Sequence, residues 1–302
     1  VACFSPLSAF RRVDGSVMFV ERQGADTDIT IPCGYCIGCR IARTREWALR
    51  CTHEAMQHDS CRFVTLTYDP AKLPAGGSLR PDDLTRFFKR VRKRLGKFRY
   101  FACGEYGDEL SRPHYHVNFF GLVIPDEALL YSTRESDHPA FSSPILEQLW
   151  GFGHVHIGLF STDTARYTAS YIFKKVAGRL ARQHYCRVDG DGVVHHLHPE
   201  FVRMSRSPGI GAGWLREFTG DLSGPGGVVS EGRTHPVPRF YKRKLVEFDK
   251  QLHDELAERV ETESLPRRWD QTPARLSVRR EVAEAGQRQK VRKYEARGDV
   301  SV

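Results

Sequence analysis

The sequence predicts an α+β protein whose centre is an antiparallel sheet on a split βαββαβ plan. Three observations carry this. Residues 62–68 alternate, with Phe63, Thr65 and Thr67 on one side and Val64, Leu66 and Tyr68 on the other, the two-residue period of a strand. Residues 81–95 place Leu84, Phe87, Phe88, Val91 and Leu95 at helical spacing. The order from there is strand 98–105, strand 113–120, helix 144–150, a strand near 154–158 and a helix from 164 to about 179. Such an order places the histidine strand centrally and the helices on one face of the sheet.

Each element has its local cause. Pro81, Asp82 and Asp83 suit the first turn of a helix, and Gly96 ends it. Pro113 fits the first residue of a strand, where a missing N–H costs no ladder bond, and Gly121 marks its end. Asp163 or Thr164 is expected to cap the last helix. Upstream, residues 16–20 and 28–31 read as short strands, and 37 to about 58 as a helix decorated with arginines, where Trp47 packs rather than stacks on a base. Residues 126–150 are mixed ahead of their helix. Residues 181–237, rich in Gly, Pro, His and Ser, read as loops. From Arg239 the chain is helical and charged, and from Val278 it reads as an exposed or disordered tail. Four regions are therefore expected: a Cys-rich segment and helix over 1–60, the sheet core over 61–180, a loop-rich insertion over 181–237 and a basic helical region over 238–302.

Composition narrows the class. The 302 residues carry 46 Lys and Arg against 37 acidic residues, a net charge of +9, and the mean hydropathy is −0.46. A modest basic excess is compatible with a polyanionic partner. No apolar run approaches the ~18 residues of a membrane span, and the N-terminal residues lack a secretory pattern; a cytoplasmic protein is expected. Eight cysteines in a chain this long exclude a disulfide scaffold. Cys33, Cys36 and Cys39 form Cys-x2-Cys-x2-Cys, and Cys3 supplies a fourth sulfur, enough to close a tetrahedral zinc site. Reduced thiols near a turn, or an iron–sulfur site, are the alternatives.

The chemistry centres on Arg112-Pro113-His114-Tyr115-His116-Val117-Asn118. On a strand His114 and His116 project from one face, and neutral imidazoles so placed can share a divalent ion. Alone, the pair reads as two half-exposed histidines. A second stretch, Tyr167-Thr168-Ala169-Ser170-Tyr171-Ile172-Phe173-Lys174-Lys175, puts two phenols on one helical stripe with an ammonium a turn further. Lys174 sits three residues after Tyr171 and further from Tyr167, so Tyr171 is expected to be the better activated, with Lys175 as the second cation. A rival His-x-His, His154 and His156, follows at the later strand, and His195, His196 and His198 fall in a loop. The basic face of residues 81–95 includes Arg90, Lys93 and Arg94, and is either solvated or laid along phosphates. Lys242 and Arg243, beside Phe240 and Tyr241, form a second basic patch with an aromatic plate, and Arg112 borders the histidine strand.

The pairing of His-hydrophobic-His with Tyr-x3-Tyr-x2-Lys resembles the HUH endonucleases, the rolling-circle replication initiators. The stretches Phe63–Tyr68, Gly104-Glu105-Tyr106-Gly107, Pro32–Arg40 and Met204-Ser205-Arg206-Ser207-Pro208-Gly209-Ile210-Gly211 look like the initiators of small single-stranded DNA phages, in the gokushovirus branch of the microviruses. The resemblance covers the chain to about residue 215. It implies a ferredoxin/RRM-like HUH core in which Glu105 joins His114 and His116 around Mg²⁺ or Mn²⁺, two imidazoles tilting the site toward Mn²⁺. It implies further that a tyrosine nicks the origin and stays on the 5′ end, that the partners are single-stranded and origin DNA with the host replication helicase or polymerase, and that the protein works in the cytoplasm of the bacterial host. A non-catalytic nucleic-acid-binding module, and a transposase or relaxase with the same chemistry, are the competing readings.

Overall fold

The computed structural model describes residues 3–12, 14–19, 27–107, 110–131, 139–171, 176, 180–224 and 227–296. In chain order its elements, short 3₁₀ turns aside, are β1 (Leu7–Arg11), β2 (Val17–Met18), β3 (Thr27–Ile31), α1 (Ile37–Ala55), β4 (Cys61–Thr67), α2 (Pro81–Leu95), β5 (Arg99–Tyr106), β6 (Pro113–Phe120), β7 (Ala128–Tyr131), β8 (Ala140–Ser142), α3 (Pro144–Trp150), β9 (Val155–Leu159), α4 (Thr162–Ser170), α5 (Ala181–His184), β10 (Cys186–Val188), β11 (Val194–His196), β12 (Phe201–Met204), α6 (Ala212–Glu217), β13 (Val228–Ser230), β14 (Arg233–His235), α7 (Arg239–Phe248), α8 (Lys250–Ser264) and α9 (Pro273–Ala296). They divide into two compact units, Thr44–Arg243 and Val1–Arg43 with Lys244–Val302. Among the described residues no helix is long and apolar enough to cross a membrane.

The larger unit holds a seven-stranded sheet in the order β12-β5-β6-β4-β9-β8-β7, with every neighbouring pair antiparallel. The α+β class expected from the sequence is observed, and β6 lies between β5 and β4. On one face α2 and α3 bury Leu84, Phe87, Phe88, Val91, Leu146 and Trp150 against Val64, Leu66, Ala102, Tyr115, Val117 and Phe119. Pro81 opens α2, Asp82 and Asp83 sit in its first turn, and Gly96 closes it at φ 95°, as the sequence predicts. Each large side chain so buried contributes about 1.5–3 kcal/mol.

The opposite face is also covered, which corrects the expectation of helices on one face only. There α1 and α4 pack Ala48, Cys51, Ala165 and Ala169 onto Phe101 and Phe120. The sequence signal was present in the near-continuous apolar runs of β5 and β6, which lack the alternation of a half-solvated strand. The reading of 181–237 as loops is corrected too. Within it β12 pairs with β5 in the register Phe201↔Gly104 to Met204↔Phe101, and β10-β11 and β13-β14 form hairpins. These strands have only three or four residues, too short for periodicity to register, and β12 is held by a partner about a hundred residues away. The mixed region includes β7 and β8, which extend the sheet edge.

The segment after β12 wraps around α1 through buried polar contacts. The Glu54 carboxylate accepts from the Gly211 N–H at 2.7 Å and pairs with Arg99. Gly211 has φ +77°, and a Cβ there would strike the Tyr241 hydroxyl. Arg50 lies 4.0 Å from the centroids of both the Trp47 and Phe240 rings and donates to the Ile210 carbonyl at 3.1 Å. Trp47 packs on Phe101, in agreement with its expected packing role.

In the smaller unit β1 pairs with both β2 and β3; β1 is a strand the periodicity did not reveal. The stretch from Val278, read as an exposed or disordered tail, is largely exposed but helical through Ala296.

Within the larger unit, His53 is 2 % exposed, stacks on Trp214 at 3.6 Å and lies 2.8 Å from the Tyr241 hydroxyl. Burial, and secondarily His235, depress its pKa to about 3. A depressed value means that the unfolded chain binds the proton more readily. The stability is therefore fully present above pH ~6.5 and is lost as pH falls toward 3, at up to about 1.4 kcal/mol per pH unit. Urea denaturation of the wild type should show this loss between pH 7 and 5, and His53→Gln should flatten it; equal slopes in both would exclude His53 as the source.

Candidate active site

The register of β5 and β6 builds the site. Glu105 lies directly opposite His114, and the strand period brings His116 to the same side. Glu105 Oε1 is 2.7 Å from His114 Nε2 and 2.9 Å from His116 Nε2. The carboxylate is 1 % exposed and His116 3 %, so Glu105 is not the exposed strand-end glutamate that was its alternative. Burial alone would raise the Glu105 pKa, yet the hydrogen bonds to the two imidazoles, and their charge, hold it at about 2. The outer nitrogens are fixed as well: His114 Nδ1 is 3.2 Å from the Arg112 carbonyl, and His116 Nδ1 is 3.0 Å from Thr65 Oγ1. Outer partners of this kind orient an imidazole so that Nε2 faces a ligand.

One carboxylate and two imidazoles thus converge, with ligand atoms within 4.8 Å of one another. This oxygen–nitrogen donor set fits a divalent cation, and a cation there would meet the same demand for positive charge beside the carboxylate that the imidazoles meet in its absence. The rival pair does not assemble: among the described residues His154 and His156 join no cluster of possible ligands. His195 sits on β11 and contacts Asp189 at 2.7 Å, and it too joins no cluster.

The tyrosines arrive from α4. Ser161, rather than Asp163 or Thr164, caps this helix, in a reciprocal capping box with Thr164; the sequence offered several adjacent hydroxyl and acid candidates, and only the chain direction chooses among them. The Asn118 amide donates to Thr168 Oγ1 at 3.0 Å, and Thr168 donates to the Thr164 carbonyl at 2.9 Å. This buried link ties the helix to the histidine strand. Tyr171 stacks on His116 at 5.5 Å, and Tyr167 meets the same ring edge-on at 5.1 Å. The two phenols are 4.8 Å apart and perpendicular, and Tyr167 also lies against Phe63. Their exposure differs: Tyr171 is 6 % exposed and Tyr167 41 %. Burial, followed by the nearby Glu105 charge, pushes the Tyr171 hydroxyl far above the usual phenol range. Lys174 and Lys175 lie outside the described residues.

The basic residues divide by environment. Lys93, Arg94 and Arg243 are exposed. Arg90 instead donates to the Leu149 and Trp150 carbonyls at 2.6 and 3.0 Å, closing the end of α3, and Arg112 donates to the Tyr68 carbonyl at 2.8 Å. Lys242 is half-buried, and burial lowers its pKa. The aromatic plate beside it is packed: Tyr241 is fully buried, and Phe240 lies beneath Arg50.

In the smaller unit Cys3, Cys33, Cys36 and Cys39 meet with their sulfurs within 4.8 Å of one another. Backbone N–H groups of Phe4, Cys33 and Cys36 donate to Cys36, Cys3 and Cys33 sulfurs at 3.2–3.3 Å. Burial opposes ionisation of Cys36, but these donors bring its pKa down to about 6, whereas burial and the neighbouring sulfurs raise Cys39 to about 12. A cluster that resists ionising together without a cation is chemically suited to binding one.

The chain's homologues are replication-associated proteins of small single-stranded DNA phages. A family model of replication-associated proteins, described by the ORF2 type, matches residues 61–176, the stretch that holds the triad and both tyrosines. Replication-associated protein VP4 of Bdellovibrio phage phiMH2K is 29% identical over 87% of this chain and 85% of its own. Replication-associated protein ORF2 of Spiroplasma virus 4 is 29% identical over 72% of this chain and 68% of its own. For Replication-associated protein ORF4 of Chlamydia phage 1 the identity is 27%, over 76% and 59%. No solved structure matches the chain.

Thr65, Asn118 and Thr168 escaped sequence reasoning. Strand alternation assigns Thr65 a face, but only the β4-β6 register, Thr65↔His116, gives it a partner. Replacing Thr168 by Val keeps the shape and leaves the buried Asn118 amide without its acceptor. Thr168→Val should therefore cost about 1–3 kcal/mol in urea denaturation; a change near zero would mean that this link does not hold α4.

Proposed function

We propose that this protein initiates rolling-circle replication of a phage genome by nicking and rejoining single-stranded DNA through tyrosine, as an HUH-type endonuclease acting in the host cytoplasm. The observation that carries the reading is the stacking of two phenols on His116, the imidazole that shares Glu105 with His114. The β4-α2-β5-β6-α3-β9 order, with its core strands side by side as β5-β6-β4-β9, supports the HUH core. Relatives named for replication favour an initiator over a transposase or relaxase.

Glu105, His114 and His116 would hold Mg²⁺ or Mn²⁺, which when bound supplies Lewis-acid stabilisation of the scissile phosphate's oxygens. The protein's own part is orientation and proton traffic. A phenol oxygen forms the new bond to phosphorus and gives up its proton, while the 3′-oxygen leaves and gains one. The 5′ end stays on tyrosine as a phosphodiester, so rejoining needs no external energy source. A second phenol within reach permits the next transesterification. Exposure favours Tyr167 for the first attack, since a buried phenol resists ionisation; this reverses the order expected from Lys174.

The test is incubation of a labelled single-stranded origin library with and without Mn²⁺, followed by denaturing electrophoresis and mass spectrometry of the trapped peptide. A covalent adduct should form only with the ion. His114→Ala with His116→Ala should abolish it yet keep oligonucleotide binding, because phosphate contacts supply most of the affinity. Tyr167→Phe should slow first-turnover nicking more than Tyr171→Phe, and only the double variant should form no adduct. Binding with no adduct on either tyrosine would leave a non-catalytic nucleic-acid-binding module.

The four cysteines are proposed to hold Zn²⁺ in a structural role, supported by their tetrathiolate composition and the N–H donors around it. Purified, reduced protein should contain about one zinc per chain, and strong chelators should lower its melting temperature. Elemental analysis that finds no zinc in unchelated protein would remove this assignment.

A further inference from the structure

The Met204–Gly211 stretch forms part of a cleft that the proposed chemistry does not use. The cleft, about 900 Å³, opens where β5 begins and β12 ends. Five cations line it, Arg92, Lys97, Arg99, Arg203 and Arg206, together with Ser205 and Ser207, and its lining holds no carboxylate. Arg99 is neutralised by Glu54 behind the wall. Arg203 spends its hydrogen bonds on neutral groups of α2, the Pro81 carbonyl and the Thr85 hydroxyl, and keeps its charge. Arg92 rests on the Phe98 and Tyr100 rings at 4.5 and 5.7 Å, while Lys97 and Arg206 stand exposed at the rim. The wall is built: Ser205 exchanges hydrogen bonds with the Tyr100 backbone at 3.0 and 3.1 Å, extending the β12-β5 ladder.

Position relates the cleft to the triad. Arg99 and Glu105 lie on the same strand an even number of residues apart, so both face the same side of the sheet. Opposite them on β6 are Phe120 and His114. Six residues of strand span about 20 Å, roughly six stacked nucleotides at ~3.4 Å each.

We propose that this cleft binds the phosphodiester backbone of single-stranded DNA, at a distance from the phosphate at the triad, and that Lys97 and Arg206 make the phosphate contacts. Concentrated positive charge with no acid in the lining selects a polyanion. Aromatic rings beneath a guanidinium give a base or sugar a surface to rest on. The inference rests on the reading that the protein acts on DNA, but its test needs no cleavage.

Fluorescence anisotropy of a labelled twelve-nucleotide oligothymidylate, without added divalent ions and over a range of salt concentrations, would measure binding to the full chain. Lys97→Ala with Arg206→Ala should weaken binding about tenfold and reduce the slope of log K against log salt by about 1.4, the loss of two single-strand phosphate contacts. The charge-keeping pair Lys97→Arg with Arg206→Lys should bind as the wild type does. Arg216→Ala, which removes an exposed cation outside the cleft, should change affinity less than twofold. Melting temperatures of all variants identify any loss that comes from unfolding. Wild-type affinity and slope in the double alanine variant, or a loss no larger than that of Arg216→Ala, would overturn the cleft assignment alone. Thymidine monophosphate competing as well as the oligomer would replace the chain site by a nucleotide site and overturn it too. A wild-type protein that binds no oligonucleotide would overturn both this inference and the DNA reading beneath it.

Discussion

A single carboxylate oxygen shared by two imidazoles sets the geometry from which the rest of the larger unit follows. Glu105 Oε1 reaches both Nε2 atoms only because β5 and β6 pair with Glu105 opposite His114. A slip of one residue would send every side chain of one strand to the other face, separating the carboxylate from the histidines. The sheet resists that slip because both of its faces are packed. Phe119 is held in one core and Phe120 in the other, so neither can move to the opposite side without emptying a cavity worth several kcal/mol. The core thus does more than stabilise the fold: it fixes the register on which the ligand set depends.

The tyrosines are tied to that register by a different kind of contact. Their helix is anchored one turn at a time, by Ser161 at its start and by Asn118 through Thr168 in its middle. Asn118 lies on the same face of β6 as His116, two residues along, so the strand that positions the imidazole also positions the helix laid over it. The consequence is an asymmetry between the phenols. Tyr171, deeper and stacked flat, gains packing and loses ease of ionisation; Tyr167, nearer solvent, keeps access to an incoming strand. Charge supplied close to Tyr171 would narrow the difference, since an adjacent cation favours a phenolate.

Local signals made a large part of this arrangement legible in the sequence. The alternation in β4, the stripe of α2, Pro113 at the head of β6 and the histidine pair all express periods of two or about four residues, which neighbours in the chain dictate. Glu105 was reached through family resemblance rather than from its own surroundings, because a glutamate at a strand end has no local mark of burial. What escaped depends on distance along the chain. The pairing of β12 with β5 joins segments about a hundred residues apart, and Thr65 gains its role only from the strand opposite. Tyr241 and Phe240 resembled an aromatic plate for nucleic acid, and their burial around His53 and Arg50 reflects a return of the chain to α1 that no period encodes. Charge alone was similarly ambiguous: Arg90 belongs to a basic stripe in sequence, yet it closes the end of α3.

The two ligand clusters differ in chemistry as well as in place. Four thiols surrounded by N–H donors form a soft set that favours zinc over magnesium, while one carboxylate and two imidazoles form a harder set open to manganese or magnesium. Ions sorted by donor type need not compete, even though zinc binds most nitrogen ligands more tightly than manganese does. The sulfur cluster sits in the smaller unit with β1, β2 and β3, where the small sheet and its short strands offer little apolar surface to bury. A cation joining Cys3 to the Cys33–Cys39 turn would close a loop of about thirty residues and reduce the entropy of the unfolded chain there. In the larger unit two apolar cores already hold the sheet, so an ion at the triad is not needed for folding and is free to come and go with the chemistry.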